Sequence, residues 1–136
     1  EQLSQATVLT VEQTQTSVFM NDGHGNFTIQ PLPVMAQLSP VFGVTVLDLN
    51  ADGKKDLFLG GNFFGLKPQT GRFDASYGTT LINDGKRNFT YLKPKESGLF
   101  IKGEARDIAY IRSAKGDGCI IVAMNNEKIY LFRRNK

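Results

Sequence analysis

Asn21-Asp22-Gly23-His24-Gly25-Asn26-Phe27-Thr28 returns 62 residues later as Asn83-Asp84-Gly85-Lys86-Arg87-Asn88-Phe89-Thr90. Asn, Asp and Gly tolerate positive φ, and the first two also bond their own backbone, so each copy reads as a tight turn. A strand enters each turn (Ser17 to Met20, Gly78 to Ile82) and another leaves it (Phe27 to Gln30, Phe89 to Leu92). With the same offset, Val44 to Leu59 lies over Arg106 to Ile121: an apolar strand, a polar loop, another apolar strand. The repeated unit is therefore four antiparallel strands. Self-similarity at a fixed period marks a repeat architecture, and four-stranded units in series are the blades of a β-propeller. A unit of 62 residues is long for a blade, and the loop 61–77 accounts for the excess.

Between the first two strands of the middle unit lies Asp48-Leu49-Asn50-Ala51-Asp52-Gly53-Lys54-Lys55-Asp56. Oxygen-bearing side chains stand at loop positions 1, 3, 5 and 9, with glycine at position 6. That pattern suits a hard cation taking six to eight oxygens, which means calcium. The ligands would be Asp48, Asn50, Asp52 and Asp56, joined by the main-chain carbonyl of Lys54 and by water. Without a cation, three crowded aspartates should repel, raising at least one pKa or opening the loop. An EF-hand is excluded, because that loop closes on Glu at position 12 and position 12 here is Leu59. A solvated turn without metal is the competing reading, since these residues favour turns in any case. The ninth-position acid and the strand on each side favour the metal site.

Composition narrows the rest. A chain of 136 residues with 40% hydrophobic and 21% charged side chains is an ordinary globular length and balance. It has no apolar run of 18 residues, hence no expected transmembrane helix, and no signal peptide opens it. Glu1 is not a natural start, so the chain reads as a piece of something longer. The single cysteine, Cys119, excludes an internal disulfide and sits in the apolar run Cys119-Ile120-Ile121-Val122-Ala123, which predicts a buried structural thiol. The net charge of +3 is scattered over turns, with no basic stripe for nucleic acid.

Outward from the repeat, residues 1–16 read as a short helix or an irregular lead-in. Pro31, Pro33 and Pro40 mark a connection that cannot be a central strand. A second connection spans 93–103. Ala105 to Ile111, Gly118 to Met124 and Lys128 to Phe132 complete the strands. The prediction is thus one partial propeller over 1–136, all-β and antiparallel, amounting to about two blades of an incomplete ring. Residues 17–30 supply the last two strands of one blade, 42–92 a whole blade, and 104–133 three strands of a further one. The unclosed edges invite pairing with the remaining blades of a parent protein or with another copy.

Asp48-x-Asn50-x-Asp52-Gly53-x-x-Asp56-Leu57, followed by Gly61-Asn62 and the NDGxxNF turn, resembles the FG-GAP/VCBS repeat. The resemblance covers about 17–133 and implies an integrin-α-like propeller of an extracellular or cell-envelope protein. It also implies calcium on Asp48, Asn50, Asp52 and Asp56. The second repeat departs from the pattern. Its loop, Arg112-Ser113-Ala114-Lys115-Gly116-Asp117-Gly118, has lost most of its acids, so no metal is expected there.

The functional expectation is a non-enzymatic binding, adhesion or structural module. No nucleophile elbow, zinc motif or phosphate loop is present, and the lone His24 sits in a turn. The alternative is the propeller part of a carbohydrate-active enzyme. Asp74 and Asp107 would suit a glycosidase pair, but nothing in the sequence places them together. In a four-stranded meander the acidic loop and the NDG turns emerge on one face. The long loop 61–77 and the connections 31–41 and 93–103 emerge on the other. Long loops on a rigid scaffold carry binding residues. Asn62, Phe63, Phe64, Arg72, Asp74 and Tyr77 are therefore the candidates for contacting a carbohydrate or protein ligand, with an Arg72–Asp74 ion pair as the structural alternative for those two.

Overall fold

The computed structural model describes residues 6–112 and 118–133. These residues form nine strands in three antiparallel sheets, with one turn of α-helix. Strands β1 (Ser17–Asn21) and β2 (Phe27–Pro31) make a hairpin. A four-stranded sheet follows in chain order: β3 (Val41–Leu47), β4 (Asp56–Gly61), β5 (Thr79–Asn83) and β6 (Phe89–Leu92). A three-stranded sheet closes the chain with β7 (Ala105–Arg112), β8 (Gly118–Met124) and β9 (Tyr130–Arg133). The all-β, antiparallel expectation holds. The polar lead-in is irregular over 6–16, and its Val8, Leu9 and Val11 lie exposed. The connection after β6 contains the helical turn α1 (Pro94–Ser97). Glu96 accepts the Lys93 N–H at 3.0 Å to start it, and Gly98 at φ 72° ends it. The acid-poor loop 113–117 lies outside the described residues.

The two NDG turns carry the repeat into three dimensions. In each, the first Asn accepts the glycine N–H, at 2.8 Å in Asn21 and 2.9 Å in Asn83. Asp22 accepts the N–H groups of His24 and Asn26, just as Asp84 accepts those of Lys86 and Asn88. The Asn26 and Asn88 amides each donate to the same aspartate's second oxygen at 2.8 Å. These bonds, led by the side-chain amide, hold both aspartyl carboxyls below their usual range.

Strand β4 is the centre of the packing, buried along its whole length. Successive side chains of a strand point to opposite faces, and β4 is apolar on both. Leu57 and Leu59 meet Leu81, Leu32 and Ala36, with Val18 of the hairpin against them. Phe58 points the other way, into Leu99, Ile101, Ala105, Ile108, Ile120 and Val122. The four-stranded sheet is thus the middle layer, flanked by the hairpin and by the three-stranded sheet. Fully burying a side chain such as Phe58 contributes about 1.5–3 kcal/mol. The innermost approach, β3 to β7, needs a glycine. A Cβ on Gly43 would stand 2.8 Å from the backbone of Asp107 and Ile108. Both strands bulge at this place, between Val41 and Gly43 and between Ala105 and Asp107. The bulges set β3 and β7 at an offset of 64, whereas β4 and β8 keep 62 at their first residues, so the repeat drifts in the intervening loop.

Cys119 differs from expectation. It falls on the face of β8 opposite the buried Ile120 and Val122, so its thiol is half-buried rather than buried. Towards the outer strands the two larger sheets part into a cleft of about 900 Å³, bordered by Leu92, Cys119 and Phe132. Thr80, 1% exposed, lines it with a hydroxyl that has no hydrogen-bond partner among the described residues. An unsatisfied buried hydroxyl carries its desolvation cost uncompensated. Thr80→Val is therefore expected to stabilise the fold by about 1 kcal/mol, a rise of a few degrees in Tm. A melt at or below that of the parent would show that the hydroxyl is solvated.

Candidate functional site

The acidic loop is closed by its own side chains. Asp48 accepts the N–H of Asp52 at 3.1 Å on one oxygen and that of Gly53 at 2.8 Å on the other. Asn50 accepts the same Asp52 N–H at 3.1 Å, so two oxygens converge on one point. Asp52 accepts the Lys54 N–H at 2.9 Å and the Asn50 amide at 3.1 Å. The chain turns through Ala51 at φ 65° and Gly53 at φ 84°, and glycine takes the second of these without steric cost.

Asp56 has a different place from its companions. It is fully buried at the start of β4, where its oxygens accept the N–H groups of Leu49 and Asn83, both at 2.8 Å. One carboxylate thereby ties the acidic loop to the far end of β5. Asn83 adds a bond from its amide to the Lys55 carbonyl at 3.0 Å, so the second NDG turn lies against the acidic loop.

Charge crowding does not open the loop. The Asp52 carboxyl is held below its usual range, first by the Lys54 N–H, then by the Asn50 amide and the Lys54 ammonium 3.3 Å away. Hydrogen bonds to the charged form outweigh the repulsion expected from composition. Among the described residues no three His, Cys, Asp or Glu side chains form a metal cluster, a count in which Asn50 and a main-chain carbonyl have no part. The donor chemistry fits calcium. Every candidate side-chain ligand presents oxygen, and a carboxylate oxygen holding one N–H keeps a further lone pair.

A second region lies where loop 61–77 meets the three-stranded sheet. Loop 61–77 is folded back on itself: Phe63 and Phe73 exchange N–H···O bonds at 2.8 and 2.9 Å. Asn62, 2% exposed and at φ 81°, is its anchor. Its amide donates to the carbonyls of Ser76 and Gly103, and its oxygen accepts the Ser39 hydroxyl and the Ser76 N–H. One side chain so joins the connection after β2, the loop after β4 and the connection after α1. The other anchor is Glu104, almost buried, which accepts from the Phe64 N–H at 2.8 Å, the Asn125 amide at 2.7 Å and the Arg106 guanidinium at 2.8 Å. The Asn125 amide is the largest of these influences, which together hold the Glu104 carboxyl below its usual range.

These anchors shape a cavity of about 410 Å³. Five of the six residues picked out from sequence border it: Asn62, Phe64, Arg72, Asp74 and Tyr77. Asn62 is a wall rather than a contact, since its amide is already fully bonded. Phe63 is turned away, its ring 6.4 Å from Phe42 and facing the Arg106 guanidinium. Arg72 and Asp74 form no ion pair among the described residues; the guanidinium instead sits 4.9 Å over the Phe64 ring. Asp107 does not border the cavity, and its carboxylate accepts the Ile108 N–H.

Sequence reading missed Lys102, Gly103, Glu127 and Tyr130, which complete the wall. The signal existed. The turn 125–127 joins the second and third strands of its sheet and must emerge on the same face as loop 61–77. Compared with family models, with curated proteins and with solved structures, the chain shows no match.

Proposed function

We propose that this chain is a segment of a calcium-stabilised β-propeller that serves an extracellular or cell-envelope protein as a non-enzymatic binding module. The observation that carries the reading is the layering: a four-stranded meander lies between a hairpin and a three-stranded meander in chain order, and the NDG turns repeat bond for bond. Successive blades pack in this way. The free edges of the hairpin and of β9 are where further blades, or a second copy, would pair.

Calcium would be held by Asp48, Asn50, Asp52, Asp56 and the Lys54 carbonyl, and its role is structural. When bound, it supplies positive charge that neutralises the loop. The Lys54 ammonium beside Asp52 is a rival cation, which favours weak affinity, on the order of 10⁻⁴ to 10⁻³ M as in extracellular modules. Millimolar calcium should then raise Tm by a few degrees and EDTA should reverse the rise. Asp52→Ala should abolish the response while leaving the calcium-free melt nearly unchanged. An Asp52→Ala protein that responds to calcium as the parent does would sink the site.

A further inference from the structure

We propose that the cavity between loop 61–77 and the three-stranded sheet binds a neutral, polyhydroxylated ligand the size of a single pyranose, that is, a sugar residue of a glycan. This deepens the binding-module reading and rests on it for biological context, but not on calcium. The volume of about 410 Å³ lies at the low end of small-ligand sites.

The wall chemistry selects the class. Among the described residues four charged side chains border the cavity: Arg72 and Asp74 from the loop, Lys102 from the connection before β7 and Glu127 from the turn between β8 and β9. Their formal charges cancel, which disfavours phosphate, a lone carboxylate or a simple cation. The loop contributes one donor and one acceptor, and Lys102 and Glu127 add one of each from two separate segments, so donors and acceptors are not gathered into opposite poles as a zwitterionic amino acid requires. A ring of hydroxyls, each both donating and accepting, meets such a mixed wall on all sides.

The apolar part of the wall is aromatic and braced. Tyr77 stacks on Phe100 at 5.3 Å and Tyr130 on Phe132 at 6.0 Å, whereas Arg72 occupies a face of Phe64, so the platform is the two tyrosines. Flat, immobilised rings offer C–H faces a platform with little ordering cost on binding. The anchors Asn62 and Glu104 fix the loop before any ligand arrives.

The test is a titration of the isotope-labelled chain with methyl glycosides of glucose, galactose and mannose and with N-acetylglucosamine, followed by amide NMR shifts. At least one sugar should give saturable shifts at Phe64, Asp74, Lys102, Gly103 and Glu127. Asp74→Ala and Glu127→Ala should each weaken it about ten- to a hundred-fold, the loss of a charge-assisted hydrogen bond. Asp74→Asn, which keeps the shape, should bind more weakly than the parent and more tightly than Asp74→Ala, and guards against a folding defect, with melts taken on every variant. Shifts confined to other residues, or none by about 50 mM, a concentration far above ordinary site affinities, would overturn the proposal. So would saturation by dialanine where every sugar fails. Repeating the titration in EDTA separates the two readings: sugar binding that survives chelation stands even if the calcium site does not exist.

Discussion

Replacing Asp56 with alanine is expected to cost about 3 kcal/mol of stability even without calcium, and to abolish any calcium response as Asp52→Ala does. The carboxylate is fully buried and holds two main-chain N–H groups that belong to different parts of the sheet, Leu49 in the acidic loop and Asn83 at the end of β5. Alanine would leave both donors without a partner in a place water does not reach. Losing a buried charge recovers some desolvation, but two orphaned amides outweigh it. Asp56→Asn keeps one accepting oxygen and should lose about half as much. The measurement is urea unfolding in EDTA, where metal plays no part. A loss below about 1 kcal/mol would mean that the loop rearranges to satisfy these groups itself. Set beside Asp52→Ala, the pair separates two kinds of acid within nine residues: one that builds the fold as well as the proposed site, and one that answers to the cation alone.

Asn62→Ala should be of similar size, about 3–4 kcal/mol. Four hydrogen bonds to Ser39, Ser76 and Gly103 disappear together, and alanine must also adopt a positive φ that asparagine tolerates. Asn62→Gly removes the same bonds without the backbone strain, so it should be milder by about 1 kcal/mol. Equal losses for the two variants would show that conformation at this residue carries no weight. Losses of well under 1 kcal/mol in both would show that the three connections hold one another without it.

The strand layout was legible because its signals are local. Turn chemistry at 21–26, 48–53 and 83–88 punctuates apolar runs of strand length, and the repeat sets their order. The ends were less legible. Whether β9 starts at Lys128 or Tyr130 depends on pairing with β8, which no local signal encodes. The candidate site was half legible. Phe64, Arg72, Asp74 and Tyr77 share one loop, so naming the loop named them. Phe63 and Arg72 took partners that sequence does not reveal, Phe42 and Arg106 for the first and Phe64 for the second. Glu104 was invisible, because a single acid ahead of a strand carries no pattern. Asp56 read as one ligand among four, yet burial makes it the keystone of the sheet. Only the third dimension separates those roles.

Within each sheet, every pairing joins strands adjacent in the chain, and most close across short turns. Few residues must be brought together from afar, so chain-closure entropy is small for most of these steps. The exception is the union of β4 with β5, which must gather the whole stretch 62–78. That same stretch forms one side of the 410 Å³ cavity, and the other side belongs to a sheet that docks from a distance. The cavity needs both of these non-local unions, so it is expected to form late in folding and to be lost early in a partial opening.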